Sequence, residues 1–250
     1  MPSGSRPVFL DHAAGSPLRP EVLDALHAHE DLVPNPNGAH AESRRSRGVL
    51  EGAREKIAEL LGCGPREVIF TSGGTESANL ALLAGSNINR VVTSSIEHTA
   101  VHSAAKVRDA EHLELAVDVN GVLRLPEALD IIEDGDLVSV MAANSETGAI
   151  QPVAELAERL GARRGSILLH SDAVAASACT DLHPLVAACD LVSLAGHKLG
   201  APVGIGVLIA RGGVELTSLS FGGAQEAGIR SGTQNVLGAL AMAVALEAAQ

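Results

Sequence analysis

Aromatic side chains are almost missing from this 250-residue sequence: Phe9, Phe70 and Phe221 are the only three, and neither tryptophan nor tyrosine occurs. The core therefore has to be assembled from Leu, Val, Ile and the abundant Ala within a 46% apolar composition. Cysteine is also scarce. Cys63, Cys179 and Cys189 form an odd set without CxxC spacing, which gives no disulfide framework and no zinc knuckle. No run approaches ~20 uninterrupted apolar residues, and the first fifteen residues lack the apolar stretch of a signal peptide. These shortages predict a soluble, cytoplasmic protein. Positive charge is short as well. Eighteen Lys and Arg against thirty Asp and Glu leave a net charge of -12 at pH 7, which argues against a nucleic-acid partner or an anionic membrane surface. No metal site is read from the sequence.

What is present is a regular alternation. Short β-branched or apolar runs at 67–70, 90–94, 137–142, 166–172, 190–195 and 204–210 read as strands, several of them apolar throughout, as strands covered on both faces are. Helical patterns at 42–62, 75–85, 97–110, 125–134 and 152–164 lie between them, and an Ala-rich helix is expected from Thr233 to the last residue, with no capping signal. Strand alternating with helix predicts an α/β fold with a mostly parallel sheet flanked by helices. Neither an internal repeat nor a low-complexity linker interrupts it.

In open parallel sheets ligands gather at the carboxyl ends of the strands, so the residues just after each strand carry the chemistry. After the first comes TSGGTES, whose glycines let backbone N–H groups approach an anion at a helix N-terminus. It lacks the Lys-Ser/Thr pair of a Walker A loop and the GxGxxG of a dinucleotide turn. Taken alone, it reads equally as a plain glycine turn capped by Thr75. Asp172 ends another strand, where an aspartate alone would be a turn former. His98 follows the 90–94 strand, one turn into a helix, and the 190–195 strand delivers His197 and Lys198. One ligand accounts for all of them: a phosphate on glycine amides and Thr75, a ring nitrogen on Asp172, a ring face under His98, and an aldehyde for the Lys198 amine. That ligand is pyridoxal 5'-phosphate.

The motifs LDHAAGSP, TSGGTESAN, IEH, ANSETG, HSDAVAAS, AGHKLGAPVGIG and GGAQEAGIRSGTQNV follow one another in an order that resembles the cysteine desulfurases of the class V aminotransferase group. The resemblance covers nearly the whole chain and implies the type I fold of pyridoxal phosphate enzymes. It also implies roles: Lys198 and His98 catalytic, with Lys198 the covalent attachment point and His98 the ring-stacking proton shuttle. Asp172 would pair with the pyridinium, and Gly74, Thr75 and His197 would hold the phosphate. Thr233 would reach the phosphate of a neighbouring subunit in a homodimer. The implied partners are L-cysteine or a similar amino acid and a sulfur-acceptor protein.

The sequence departs from the family pattern at three places around this site. Ser145 stands where an asparagine contacts the phenolic oxygen, Ala175 where a glutamine does, and Ala195 where a serine precedes Gly-His-Lys. By resemblance, residues 1–15 would join a small domain, 16–250 would form the cofactor-binding large domain, and the C-terminal small domain is absent. That domain carries the family's sulfur-accepting cysteine and a carboxylate-clamping arginine. Cys63, Cys179 and Cys189 are read as structural, buried thiols acting as small hydrophobes. The expectation is a cysteine desulfurase that is inactive as this chain alone. The alternatives are a non-catalytic or split paralogue acting as a dimerising partner, and another class V activity.

Overall fold

The computed structural model describes residues 8–85, 88–161 and 167–250. Seven strands form one sheet: β1 (Val68–Thr71), β2 (Arg90–Ser94), β3 (Glu111–Leu115), β4 (Leu137–Ser139), β5 (Leu168–Asp172), β6 (Leu191–Ala195) and β7 (Gly206–Ala210). Their order across the sheet is β1-β7-β6-β5-β4-β2-β3. The run from β6 to β3 is parallel, whereas β7 is antiparallel to both of its neighbours.

Side chains on a strand alternate between faces, and here both faces are apolar. Val91, Leu137, Leu191 and Leu208 enter one buried cluster, while the next residues, Val92, Val138, Val192 and Ile209, enter the other. This double demand explains why these strands read as continuous apolar runs. The first cluster is closed by α3 (Gly74–Leu82) and α4 (Thr99–Val107), through Leu80 and Val101 among others. The second is closed chiefly by α2 (Ala41–Leu61) and α9 (Val236–Glu247), through Leu50, Ile57, Leu61, Met242 and Leu246. Helices α1 (Pro20–His27), α5 (Leu125–Ile131), α6 (Val153–Leu160), α7 (His183–Ala188) and α8 (Gly196–Leu199) complete the chain.

Local signals set several boundaries. Helix α2 starts on His40, whose ring accepts the Ser43 N–H at 3.2 Å, and stops at Gly62 in the left-handed region at φ 67°. Asn235 caps α9 by accepting the Gly238 N–H at 2.9 Å, so the helix begins at Val236, with Thr233 in the preceding loop. The same helix ends at Glu247 instead of running to the last residue.

Four of these elements, α1, β3, α7 and α8, escaped the sequence reading. Strand β3, EHLEL, carries charged residues on an edge, where such side chains are tolerated because only one flank is paired. Helices α7 and α8 have only six and four residues, too few to show a helical period. The helix expected at 152–164 ends at Leu160, and 162–164 lie outside the described residues.

Candidate cofactor site

The parallel strands converge on a cavity of about 250 Å³ at their carboxyl ends. Each wall is supplied by the segment that follows a strand. The turn after β1 passes Gly73 and starts α3 at Gly74, one residue earlier than expected, with Gly73 and not Thr75 at the cap. This turn is pressed against β7: a Cβ on Gly206 would lie 2.6 Å from the Gly73 Cα and 2.8 Å from the Leu194 carbonyl oxygen. A Cβ on Gly74 would meet Val174 Cγ2 at 2.7 Å. Glycine is therefore required where the loop touches the cavity wall. No side chain caps α3, and Gly74 and Thr75 of its first turn line the cavity, which puts the positive end of the helix beside it.

Strand β5 delivers Asp172, 7% exposed, whose Oδ1 accepts the Val174 N–H at 2.9 Å. Burial raises its carboxyl above the usual range, and the Val174 amide and the charges of His98 and Lys198 counter the rise. Strand β6 delivers the short α8 with His197 and Lys198, both half-buried. Burial lowers the His197 imidazole, and the Lys198 charge adds to the effect. The N-terminal segment lies across α8. Ser16 N donates to the His197 carbonyl at 2.8 Å, Ser16 Oγ to the Lys198 carbonyl at 2.9 Å, and Arg19 Nε to the Leu199 carbonyl at 2.7 Å. Lys198 Nζ donates to the Ala13 carbonyl.

His98 lies at the cavity mouth, but as the N-cap of α4 and not one turn inside it. Its Nδ1 accepts the Ala100 N–H at 3.1 Å, which leaves Nε2 to carry the proton of the neutral ring. Gly74, Thr75, His98, Ser145, Asp172, His197 and Lys198 thus meet on one cavity. Thr233 is exposed and does not line it. Ala175, a site of departure from the family pattern, is on the wall, and Asn144 instead braces the loop by donating to the Ile96 carbonyl at 3.2 Å.

Beneath the cavity is a residue the sequence reading passed over. Glu97 is 7% exposed; its Oε1 accepts Ser94 Oγ at 2.5 Å and the Met141 N–H at 2.6 Å, while Oε2 has no partner. Burial pushes its carboxyl up to about 8, against the opposing pull of those two hydrogen bonds, and the Asp172 charge adds to the rise. The only hint was its position in IEH, one residue before His98.

The three thiols differ from the uniform reading. Cys189 is buried and Cys63 half-buried, but Cys179 is exposed and lines a second cavity, of about 630 Å³, that shares Lys198 and Ser145 with the first. Cys179 follows a 3-10 turn at Ala176–Ala178 and sits too close to the surface to act as a core hydrophobe.

A lysine, a buried carboxylate able to hold a ring-nitrogen proton, and an uncapped helix end beside glycines fit pyridoxal phosphate. The fold is that of the type I pyridoxal phosphate enzymes. Residues 8–250 match the family model of the class-V aminotransferases, and the chain belongs to that family. Members of this family, cysteine desulfurases included, use pyridoxal phosphate. An "IscS-like cysteine desulfurase" of Mycobacterium tuberculosis is 39% identical, over 96% of this chain and 65% of that protein. A "Cysteine desulfurase IscS" of Dictyoglomus turgidum is 37% identical, over 98% and 64%. This chain spans about 65% of the length of these relatives. Among solved structures, a "NIFS-LIKE PROTEIN" superposes with a TM-score of 0.92 at 34% identity, over 98% of this chain and 70% of that one. "SspA in complex with cysteine" gives 0.88 at 30% identity, over 96% and 72%.

Proposed function

We propose that this chain is the cofactor-binding part of a pyridoxal-phosphate-dependent cysteine desulfurase acting on L-cysteine or a similar amino acid. The observation that carries the reading is the convergence of Lys198, Asp172 and His98 on one cavity beside an uncapped helix end. The similarity to proteins named cysteine desulfurases, and to one solved with cysteine, supports the substrate class. When bound, the cofactor supplies an electron sink for charge left on the substrate's α-carbon.

The chain's own groups divide the remaining work. Of the three lysines, only Lys198 lines the cavity, and it offers the amine for covalent attachment. The buried Asp172 carboxylate holds a proton at the ring nitrogen. His98 holds or moves a proton at Nε2, because its Nδ1 is occupied by the Ala100 amide. Gly74, Thr75 and His197 are assigned to the phosphate and Ser145 to the phenolic oxygen. Thr233, exposed and away from its own cavity, is assigned to the phosphate of a second copy, which makes the protein a homodimer.

By itself the chain is expected to release little sulfur. Transfer needs a thiolate held close to the substrate sulfur. Burial pushes the Cys63 thiol up to about 11, with the Glu67 charge adding to the effect, and Cys189 is buried. Cys179 is exposed beside Lys198 and is put to the test below; we assign the acceptor thiol to the family's small domain, with a sulfur-acceptor protein as a further partner.

Borohydride treatment of the reconstituted protein, followed by peptide mapping, should find the pyridoxyl group on Lys198 and nothing in Lys198→Ala. A group on Lys56 or Lys106 would overturn the assignment. Light scattering that gave a monomer with full cofactor occupancy would overturn the dimer. Sulfide release from cysteine and dithiothreitol far above background, abolished by Cys179→Ser, would make Cys179 the acceptor.

A further inference from the structure

Away from the cofactor cavity, α4 and the edge strand β3 bring together three groups that no step above uses. His112 and Glu114 are two residues apart on β3, so they project from the same face of the strand. His102 comes from the middle of α4. One ligand atom from each of the three residues lies within 4.8 Å of the others.

We propose that His102, His112 and Glu114 form a binding site for a divalent transition-metal ion of the zinc type. Two imidazoles and a carboxylate are the donor set such ions take, with water completing the tetrahedron. The His102 Nδ1 has no hydrogen-bond partner although the atom is closed off from solvent, and it faces Glu114 Oε1 at 3.8 Å. That separation is too long for a hydrogen bond. Two ligands of one ion with bonds of about 2.1 Å stand about 3.4 Å apart, so a small side-chain movement closes the pair on a metal. Glu114, with 51% of its side chain exposed, is free to make that movement. On the other side, Thr93 Oγ1 lies 2.9 Å from His112 Nε2 and fixes the ring, as outer-shell partners of metal-bound histidines do. The rings of His102 and His112 are 6.2 Å apart at 60°, so they flank a shared point instead of stacking.

An ion here would tie α4 to the sheet edge. His98, the cap of that helix, lies four residues before His102, so the cofactor cavity sits at the N-terminal end of the same short helix, about one turn away.

The test is titration of the purified chain, stripped with a chelator, with zinc chloride and with cobalt chloride, read by calorimetry and by cobalt absorption. One equivalent should bind, with a raised melting temperature and a cobalt spectrum of low coordination number. His112→Gln and Glu114→Gln should each weaken binding more than about 10-fold. Glu114 is exposed, so its variant keeps the fold, and circular dichroism checks both variants. Binding retained in either variant would overturn the site, as would loss of binding in Cys179→Ser or Cys63→Ser. Absence of binding by the unaltered chain would overturn it as well.

Discussion

Replacing Glu97 by glutamine tests the electrostatics beneath the cofactor cavity. In the folded protein the carboxyl titrates at about 8, against an ordinary value of 4.5, with burial as the main cause. A folded value above the unfolded one favours the protonated fold, so this stabilisation is complete below about pH 4.5 and is lost as the pH rises through about 8. Glutamine resembles the protonated acid: its oxygen can still accept Ser94 Oγ and the Met141 N–H, and it never ionises. Between pH 5.5 and pH 8 the unaltered protein should therefore lose about 3 kcal/mol relative to Glu97→Gln, at 1.36 kcal/mol for each pH step of difference. With an m-value of about 3 kcal/mol/M, the urea midpoints of the two proteins should shift relative to each other by about 1 M over that range. Comparing the two proteins at each pH cancels groups that titrate alike in both. Parallel midpoints across the range would refute the reasoning, because Glu97 would then be ionised and compensated at neutral pH.

Three further outcomes are expected. His170 is buried between Ser139 Oγ, 2.8 Å from Nδ1, and Ser193 Oγ, 2.9 Å from Nε2, and burial lowers it to about 3. Its stabilisation is present above about pH 6.5 and is lost as the pH falls towards 3, so between pH 7 and pH 4.5 the unaltered protein should lose about 2.5 kcal/mol relative to His170→Asn, with thermal melts of both proteins at each pH cancelling groups such as Glu97 that titrate in both. Arg54 grips Glu226 through two nitrogens at 2.8 Å, and the Glu226 side chain is 1% exposed, so Glu226→Ala should destabilise by about 3–5 kcal/mol in denaturant titration. Ala227 sits at φ 57°, where a Cβ is strained, and Ala227→Gly should raise the melting temperature by about 2–4 °C.

The sheet was legible because each of its inner strands serves two apolar clusters, which writes Val, Leu and Ile at consecutive positions. The same logic made β3 invisible. An edge strand with one paired flank can carry Glu111, His112 and Glu114, and such a segment reads as a polar connector. The juxtaposition of His102 with His112 and Glu114 was therefore out of reach from sequence, since it depends on α4 lying against a strand that had not been recognised. The candidate site was legible for the opposite reason. Its residues fall directly after strands, so the strand assignments alone bring Asp172, His98, His197 and Lys198 to one edge of the sheet.

What remained hidden depends on which way short segments turn. Cys179 and Cys189 look alike in sequence, both in small-residue surroundings, yet the 3-10 turn at Ala176–Ala178 sends Cys179 to the surface beside the Lys198 cavity while Cys189 is buried next to β6. The GGAQEAG segment is a sharper case. Ala224, Glu226 and Ala227 all take positive φ, a conformation these residue types disfavour, and propensity would never assign it. The buried grip of Arg54 on Glu226 and the bond from the Phe70 N–H to Glu226 at 2.9 Å impose it, tying this loop to β1 just before the glycine turn of the cavity. Local preference is overruled here by one ion pair whose partners stand 172 residues apart in the chain.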